Sequence, residues 1–469
     1  MTTQATSTAQ QTSRLRFPRG FTWGVATAAY QIEGAVTEDG RAPSIWDTFS
    51  HTPGKTRNGD TADVTTDHYH LFAEDVALMA DLGVQGYRLS LAWPRICPEG
   101  RVNTKGLDFY QRLVDELLAH GIEPWITLYH WDLPQTLEDQ GGWTDRQTAH
   151  RFADYATTVY AALHDRVGHW LTINEPWCAA YLGYAAGVHA PGVQDRTAAV
   201  RAAHHLLVGH GLAVQALRAH DDGNQLGIAL NLTPITPASS APADTDAARR
   251  LDGLINRFFL DGVLLGRYPD DVLADLDHVS DLSHIQAEDT KLIAAPLDLL
   301  GINYYTRLIA SGSGDGEPAR PSPWVGAEDV TFVTRSTEVT AMGWEVNQDF
   351  LAETLLRVHR DYPAPPLVIT ENGAAYDDIA DPGGDVHDPQ RIDYLDRHLR
   401  AARLAMSQGV DLRGYFLWSL LDNFEWAEGY SKRFGIVHVD YPSRRRLLKD
   451  SARWYAEVIA RNGLAETNL

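Results

Sequence analysis

Apolar residues recur along the chain in two alternating patterns, one helical and one extended. Residues three or four positions apart predict a helix that ends at Gly121, and the apolar run 123–129 directly after it predicts a strand. The two elements form one helix–strand unit. The helical positions are Leu107, Tyr110, Leu113, Val114, Leu117 and Leu118.

The same unit recurs further along the chain. The apolar positions within 152–163 predict a helix before the strand 169–173, and those within 392–406 predict another before the strand 412–418. Eight apolar strands separated by helices predict an α/β fold, a single-domain (β/α)₈ TIM barrel, because strands wrapped in helices are buried on both faces. The remaining strands are predicted at 22–27, 86–91, 226–231, 299–304 and 367–370.

Three long segments rich in Gly, Pro, Ser and Asp each follow the C-terminal end of a predicted strand, at 233–246, 311–329 and 374–390. In a barrel all such loops open on one face, where they build the substrate site. We therefore interpret them as loops at the barrel mouth and not as linkers between domains. We expect one catalytic domain over residues 17–469, preceded by a disordered segment over residues 1–16 that is rich in Thr, Gln and Ser.

Composition and charge restrict the partners. The chain has 469 residues, and 40 Lys plus Arg against 62 Asp plus Glu give a net charge of -22, which disfavours nucleic acid and anionic membranes. The two cysteines, Cys97 and Cys178, are too few for a disulfide framework or a cysteine metal cage. The sequence also lacks a signal-peptide core and an apolar run of membrane-spanning length. We expect a cytoplasmic protein that acts on a small molecule, with homo-oligomerisation left open.

Polar and aromatic residues stand where the predicted strands end. Two of them are carboxylates, Glu175 and Glu371, each next to an asparagine. The C-terminal strand ends converge in a barrel, and a carboxylate pair among amide, imidazole and indole groups is what glycoside hydrolysis requires. The alternative for each glutamate is a solvated loop residue or a neighbour of a helix N-cap. The other residues at these ends are Gln31, Arg88, His130, Trp131, Asn174, Asn303, Tyr305, Asn372, Trp418, Glu425 and Trp426.

Two short motifs resemble those of a known family. The segment 172–176, TINEP, resembles the TxNEP motif, and the segment 369–373, ITENG, resembles the I/VTENG motif of glycoside hydrolase family 1, the retaining β-glucosidase family. The resemblance extends in the family's order through 21–24, 31–34, 129–132, 301–305 and 418–426. It implies a TIM barrel that hydrolyses terminal non-reducing β-D-glucosyl residues of cellobiose, oligosaccharides and aryl β-glucosides, with neither a metal nor a cofactor.

The resemblance also implies a role for each matched residue. Glu175 would be the acid/base and Glu371 the nucleophile, with Arg88 and Tyr305 holding Glu371 ionised. A retaining mechanism requires the two carboxyl groups to lie roughly 5 to 5.5 Å apart. The residues that would bind the sugar hydroxyls are Gln31, His130, Asn174, Glu425 and Trp426, and the ring that would lie under the sugar is that of Trp418. The residues that would face the leaving group are Trp177, Trp344 and Tyr184. The remaining predicted substrate contacts are Trp131, Asn303 and Phe434.

Two other functions are open to such a chain. A 6-phospho-β-glycosidase shares Lys432 but carries serine in place of Glu425 and tyrosine in place of Phe434, and a carboxylate at that end of the sugar would repel a phosphate. A non-catalytic sugar-binding relative usually lacks one glutamate. We expect the pairs His68/His70 and His204/His205 to be packing or surface residues rather than metal ligands, and Trp324 to be a packing residue.

Overall fold

The computed structural model describes residues 15–220, 222–312 and 321–465. Eight parallel strands form a closed barrel in which each strand pairs with its neighbours along the chain and the last pairs with the first, Thr22 opposite Gly414. The predicted (β/α)₈ barrel is confirmed, and each strand boundary lies within two residues of its prediction. The strands are β1 (Thr22–Ala26), β2 (Gly86–Ser90), β3 (Glu123–Tyr129), β4 (His169–Asn174), β5 (Gln225–Asn231), β6 (Leu299–Asn303), β7 (Leu367–Asn372) and β8 (Leu412–Trp418).

Helices pack around the barrel through their apolar stripes. The helix Thr104–Ala119 buries Tyr110, Leu113 and Leu117, while the predicted stripe member Leu118 faces solvent with 41% of its surface exposed. Gly121 follows with a φ of +72°, the left-handed conformation expected of a glycine just beyond a helix.

The α-helices of the described residues are Ala29–Ile32, Ile45–Ser50, His68–Asp81, Trp93–Ile96, Thr104–Ala119, Gln135–Glu138, Arg146–Leu163, Arg196–Arg218, Pro242–Asp252, Phe258–Leu265, Asp270–Asp277, Asp289–Ile293, Asp349–Asp361, Pro389–Ser407 and Asp450–Arg461. Short 3₁₀ helices cover Arg57–Gly59, Pro98–Gly100, Gly142–Thr144 and Trp426–Glu428, and π-helical turns cover Cys178–Ala186 and Gly253–Arg257. None of the helices in the described part of the chain is both long enough and apolar enough to span a membrane.

Two small sheets lie outside the barrel, in segments where no strand was predicted. One joins Ile235–Pro237, Leu308–Ser311 and Thr331–Phe332, and the other pairs Val437–Asp440 with Arg445–Leu448. These strands have two to four residues, too few for an alternating pattern to be visible in the sequence. The predicted loop 233–246 therefore contains a strand and the start of the helix Pro242–Asp252.

Side chains fill the barrel interior away from the C-terminal ends of its strands. The ring of Phe416 from β8 packs on Trp125 from β3, with ring centroids 4.9 Å apart. A Cβ atom on Gly24 of β1 would lie 2.3 Å from the Phe416 ring, so this position has room for glycine alone. With the interior packed there, the site described below lies at the opposite end, where the C-terminal ends of the strands meet.

The start and the end of the described chain lie side by side. The backbone of Leu464 donates a hydrogen bond to Leu15, and Arg16 forms a β-bridge with Gly463. Of the segment 1–16 predicted to be disordered, residues 1–14 lie outside the described residues.

Candidate active site

A cavity of about 430 Å³ opens at the C-terminal end of the barrel. Glu175 and Glu371 both line it, although they are 196 positions apart in the sequence (371 minus 175). Three other predicted site residues, Gln31, Arg88 and Asn174, are fully buried behind this lining and hold its members in place. The predicted residues that line the cavity with the two glutamates are His130, Trp131, Trp177, Asn303, Tyr305, Trp344, Trp418, Glu425, Trp426 and Phe434.

Glu371 is the penultimate residue of β7 and has a hydrogen-bond donor on each carboxylate oxygen. Arg88 Nη1 lies 2.5 Å from Oε1, and the Tyr305 hydroxyl lies 2.6 Å from Oε2. Gly373, two residues after Glu371, has no room for a side chain, because a Cβ atom there would lie 1.7 Å from the carbonyl oxygen of Trp418. This close backbone contact between the ends of β7 and β8 fixes the position from which Glu371 projects.

Glu175 is oriented by two asparagines. Asn303 Nδ2 donates to Glu175 Oε1 at 2.7 Å and to Asn174 Oδ1 at 2.9 Å, and Arg88 Nη2 donates to the same Asn174 oxygen at 2.6 Å. Arg88 therefore contacts Glu371 directly and reaches Glu175 through Asn174 and Asn303. One connected network sets the relative position of the two carboxyl groups.

The network gives the two carboxyl groups different proton affinities. Burial, and after it the negative charge of Glu371, raises the pKa of Glu175 to about 8. Burial also raises the pKa of Glu371, but Arg88 and Tyr305 oppose that rise by charge and by hydrogen bonds. A proton shared by the pair therefore resides on Glu175, whose hydrogen bonds come from the neutral Asn303 amide and the neutral Cys178 thiol, while Glu371 keeps the negative charge beside Arg88.

Several site residues adopt unusual backbone conformations. Trp131, Glu175 and Trp426 have φ values of +79°, +48° and +50°, in the left-handed region that non-glycine residues rarely occupy. The strand register also shifts next to both glutamates, between Leu171 and Asn174 in β4 and between Ile369 and Glu371 in β7. Such irregularities at strand ends direct side chains into the mouth of the barrel.

At one end of the cavity Gln31 holds Glu425. Gln31 Nε2 lies 3.2 Å from Glu425 Oε2 and also donates to the backbone oxygen of Phe424 at 3.0 Å. Burial, followed by the charge of Glu371, raises the pKa of Glu425 to about 8. Gln31 Oε1 is buried and has no hydrogen-bond partner among the described residues, which leaves it available to a bound hydroxyl or a water.

Aromatic rings surround this end. The His130 ring lies nearly parallel to Trp418 and Trp426, at centroid distances of 5.8 and 5.9 Å. Burial, reinforced by the charge of Arg88, lowers the pKa of His130 well below its ordinary value, so the ring is neutral at neutral pH. His130 Nε2 lies 3.1 Å from Asn174 Nδ2, whereas Nδ1 is buried with no partner in the described part of the chain.

The opposite end of the cavity is mostly apolar. Trp177 stacks on Trp324 with ring centroids 5.3 Å apart, and Trp344 packs beside Tyr305 and Phe434 at 5.5 and 6.2 Å. Trp324, predicted as a packing residue, packs on Trp177 and also lines the cavity. It lies in the predicted loop 311–329, and a loop's distance from the site is set by tertiary contacts that the local sequence does not reveal.

Tyr184 was predicted to face the leaving group, but the structure places it elsewhere. Its hydroxyl donates to Glu138 Oε2 at 2.5 Å and accepts from the Trp143 backbone at 3.2 Å, and it is absent from the cavity lining. It lies on the π-helical turn Cys178–Ala186, whose wider winding changes the direction in which side chains project.

The histidine pairs are absent from the cavity lining and bond to other groups of the protein. His68 contacts Asp75 at 2.7 Å, and His204 contacts Tyr268 and Asp289, each at 2.8 Å. Both cysteines are buried and unpaired. Within residues 15–220, 222–312 and 321–465, no group of three or more His, Cys, Asp or Glu side chains is arranged to hold a metal ion.

Comparison with known proteins agrees with this geometry. The family described as glycosyl hydrolase family 1 matches residues 13–464. Thermostable beta-glucosidase B of Thermobispora bispora is 55% identical over 453 residues, which cover 96% of this chain and 92% of the relative.

Two solved structures extend the likeness to three dimensions. A psychrophilic beta-glucosidase from Micrococcus antarcticus superposes with a TM-score of 0.93 at 50% identity, covering 97% of this chain and 99% of the other. The beta-glucosidase from Thermotoga maritima in complex with deoxynojirimycin gives a TM-score of 0.91 at 46% identity, covering 96% and 100%.

Proposed function

The chain belongs to glycosyl hydrolase family 1 and is a glycoside hydrolase, and from this premise we propose that it is a retaining β-glucosidase. The observation that carries the proposal is the pair of carboxyl groups, one held ionised by Arg88 and Tyr305 and the other favouring its protonated form. Its substrates would be cellobiose, short β-linked oligosaccharides and aryl β-glucosides, compatible with a role in cellulose degradation. A non-catalytic sugar-binding role is disfavoured, because both glutamates line the cavity.

In the first step of the proposed reaction the Glu371 carboxylate attacks the anomeric carbon as the bond to the leaving oxygen breaks. Glu175 gives its proton to that oxygen, and a covalent glycosyl-enzyme forms. Bond formation neutralises Glu371, which removes the charge that helps to raise the pKa of Glu175. Glu175, now ionised, can take a proton from water in the second step, and the water oxygen displaces Glu371 with overall retention.

The sugar would lie between Gln31, His130, Trp418 and Glu425. Indole rings cover the apolar face of a pyranose, and carboxyl and amide groups pair with its hydroxyls. Two buried atoms at this end, Gln31 Oε1 and His130 Nδ1, have no hydrogen-bond partner among the described residues, which supports this placement. A panel of nitrophenyl glycosides that differ in sugar and anomer tests the proposal: β-glucosides should be hydrolysed and α-glucosides should not, and inertness toward every β-glycoside would refute it.

We predict that unphosphorylated glucosides are preferred to their 6-phosphates by roughly 1 to 4 kcal/mol in transition-state free energy, about fivefold to a thousandfold in kcat/KM. Among the described residues that line the cavity there is no Lys or Arg. Lys432 instead donates through Nζ to the backbone oxygen of Ala341 at 2.5 Å. A phosphate would therefore be desolvated without a cation, and it would add a negative charge beside Glu425, whose pKa burial and the charge of Glu371 already raise to about 8.

The measurement compares kcat/KM for nitrophenyl β-glucoside and its 6-phosphate in the wild type and in Glu425→Ser. Glu425→Ser should reduce the ratio of kcat/KM for the glucoside to kcat/KM for its 6-phosphate without reversing it, because the substitution removes a carboxyl group and adds no cation. A higher kcat/KM for the phosphorylated substrate in the wild type would instead establish the 6-phospho-β-glycosidase alternative.

We also predict that Trp324 contributes to leaving-group binding. Trp324→Ala removes the ring that stacks on Trp177 and should lower kcat/KM about 2- to 13-fold for glucosides with a large aromatic leaving group, since an aromatic contact contributes about 0.5 to 1.5 kcal/mol beyond its buried area. Methyl β-glucoside should be affected little. Leu404→Ala, at a surface position with 53% exposure, serves as control. Equal losses on large and small leaving groups would contradict the prediction.

The two buried, unpaired cysteines support a further proposal, a cytoplasmic location, because reducing compartments keep thiols free.

A further inference from the structure

A buried cluster of charged side chains lies beneath the loops that follow β7 and β8. It combines three carboxylates with three cations, so its formal charges cancel. All of its members are buried except Arg433, whose side chain is 22% exposed. The members are Asp378, Asp388, Asp422, Arg391, Arg433 and Lys449.

Lys449 bridges the two loops from below. It directly precedes the helix Asp450–Arg461, and its Nζ lies 2.5 Å from Asp378 Oδ2 and 2.8 Å from Asp422 Oδ1. Asp378 belongs to the loop after β7, the strand that carries Glu371. Asp422 belongs to the loop after β8, three residues before Glu425. A single buried ammonium group thus ties the loop after β7 to the loop after β8, and the loop after β8 contributes Glu425 and Trp426 to the cavity lining.

Asp422 extends the connection to the far end of the loop after β8. Besides Lys449, it accepts hydrogen bonds from Arg433 Nη1 at 2.7 Å and from the Gly435 backbone at 3.0 Å. The segment 423–434 between these contacts carries Glu425, and it contains the 3₁₀ turn Trp426–Glu428. Backbone hydrogen bonds between 419–422 and 434–437 close the base of this segment, and the charged contacts of Asp422 with Lys449 and Arg433 add to them.

Such a cluster is poorly explained by stability alone. Burying charges costs desolvation energy, and well-packed apolar replacements of buried ion pairs are often neutral or stabilising. A charge-balanced cluster does, however, impose directional contacts on each loop, which apolar packing does not.

We propose that Lys449 is a positioning residue that holds the loop after β8, and with it Glu425 and Trp426, in the geometry needed to bind the sugar. The proposal rests on the proposed function in so far as the ligand is a glucose-like ring. Lys449 touches no substrate, since it lies outside the cavity lining and acts through Asp422.

The test distinguishes the effect of an unbalanced buried charge from the effect of losing the bridge that Lys449 forms between Asp378 and Asp422. Lys449→Met leaves one carboxylate of the cluster without its cation and is expected to lower stability. Lys449→Met combined with Asp378→Asn restores the balance, with Arg391 and Arg433 facing Asp388 and Asp422, but the bridge is still missing. Lys291→Met, at a lysine whose side chain is 86% exposed, is the control.

Deoxynojirimycin, a small iminosugar, is the probe, and the readouts are its inhibition constant, the midpoint of thermal unfolding and the pH profile of kcat/KM with an aryl glucoside. The double variant should unfold within a few degrees of the wild type, bind the probe about tenfold more weakly and keep the wild-type pH profile. The unchanged profile is expected because the contacts of Glu175 and Glu371 with Arg88, Asn303 and Tyr305 are untouched.

Wild-type inhibition by the probe in the folded double variant would overturn the positioning role and leave Lys449 as a structural residue. A displaced pH profile would also overturn it, since the change would then have reached the catalytic pair. If the wild-type protein neither binds the probe nor cleaves any aryl β-glucoside, the proposed function fails instead, and the two failures are thereby distinguishable.

Discussion

Replacing Glu371 by glycine should lower hydrolysis of aryl β-glucosides by roughly 10⁵-fold or more, as expected when a covalent nucleophile is lost. The carboxylate lies at the point where Arg88 and Tyr305 each place a donor on one of its oxygens, and no other carboxyl group has that pair of contacts among the described residues. The measurement is kcat/KM with dinitrophenyl β-glucoside. The protein should remain folded, because the change removes a side chain that faces the cavity.

The space left by the missing carboxylate in Glu371→Gly allows the prediction to be tested by adding a small external nucleophile. Azide or formate can occupy the space of the missing carboxylate in Glu371→Gly and attack the anomeric carbon in its place, so turnover of the activated glucoside should return, and azide should yield the α-glucosyl adduct. Glu371→Gln is the matched control, since its amide fills the same volume and leaves no room for azide. Rescue of both variants, or of neither, would contradict the assignment.

Stereochemistry provides an independent check on the same residue. A nucleophilic carboxylate has to touch the sugar, so the carboxyl groups of Glu175 and Glu371 should lie roughly 5 to 5.5 Å apart, whereas an inverting enzyme needs roughly 6.5 to 9.5 Å to admit a water. An NMR time course of the wild-type reaction should show β-glucose first, before mutarotation. If α-glucose appears first, Glu371 is a base for water and not the nucleophile.

The sequence predicted the barrel well for a physical reason. A strand of a parallel barrel is buried on both faces, so β3 and β8 are mostly apolar runs that are followed by polar residues. Glu175 and Glu371 could be placed in one site because every such strand ends at the same mouth.

Features that depend on tertiary contacts could not be predicted in this way. Trp324 reaches the cavity, and Tyr184 turns away from it toward Glu138, although nothing in the neighbouring sequence distinguishes the two. The cluster around Lys449 joins charged residues spread from 378 to 449, which lack any periodic spacing in the sequence. Nor does composition reveal that burial raises the pKa of Glu425 to about 8.

The acid role of Glu175 leads to the second large effect. Glu175→Gln cannot donate a proton, so kcat/KM for cellobiose, whose leaving group is a poor one, should fall about 10²- to 10⁴-fold. Dinitrophenyl β-glucoside should keep much of its glycosylation rate, because its leaving oxygen departs without protonation. The measurement is the slope of log kcat/KM against the pKa of the leaving group, which should be much steeper in the variant than in the wild type.

The pH dependence tests the same assignment by another route. A general acid acts only while protonated, so wild-type kcat/KM should decline as the pH rises through the pKa of Glu175, about 8, and this alkaline limb should be missing in Glu175→Gln. Glu138→Gln is the matched control: burial raises the pKa of Glu138 to about 7, yet this residue bonds to Tyr184 outside the cavity lining. It should leave both the slope and the alkaline limb unchanged. A variant of Glu175 that loses activity equally on good and poor leaving groups, with the alkaline limb intact, would show that another group protonates the leaving oxygen.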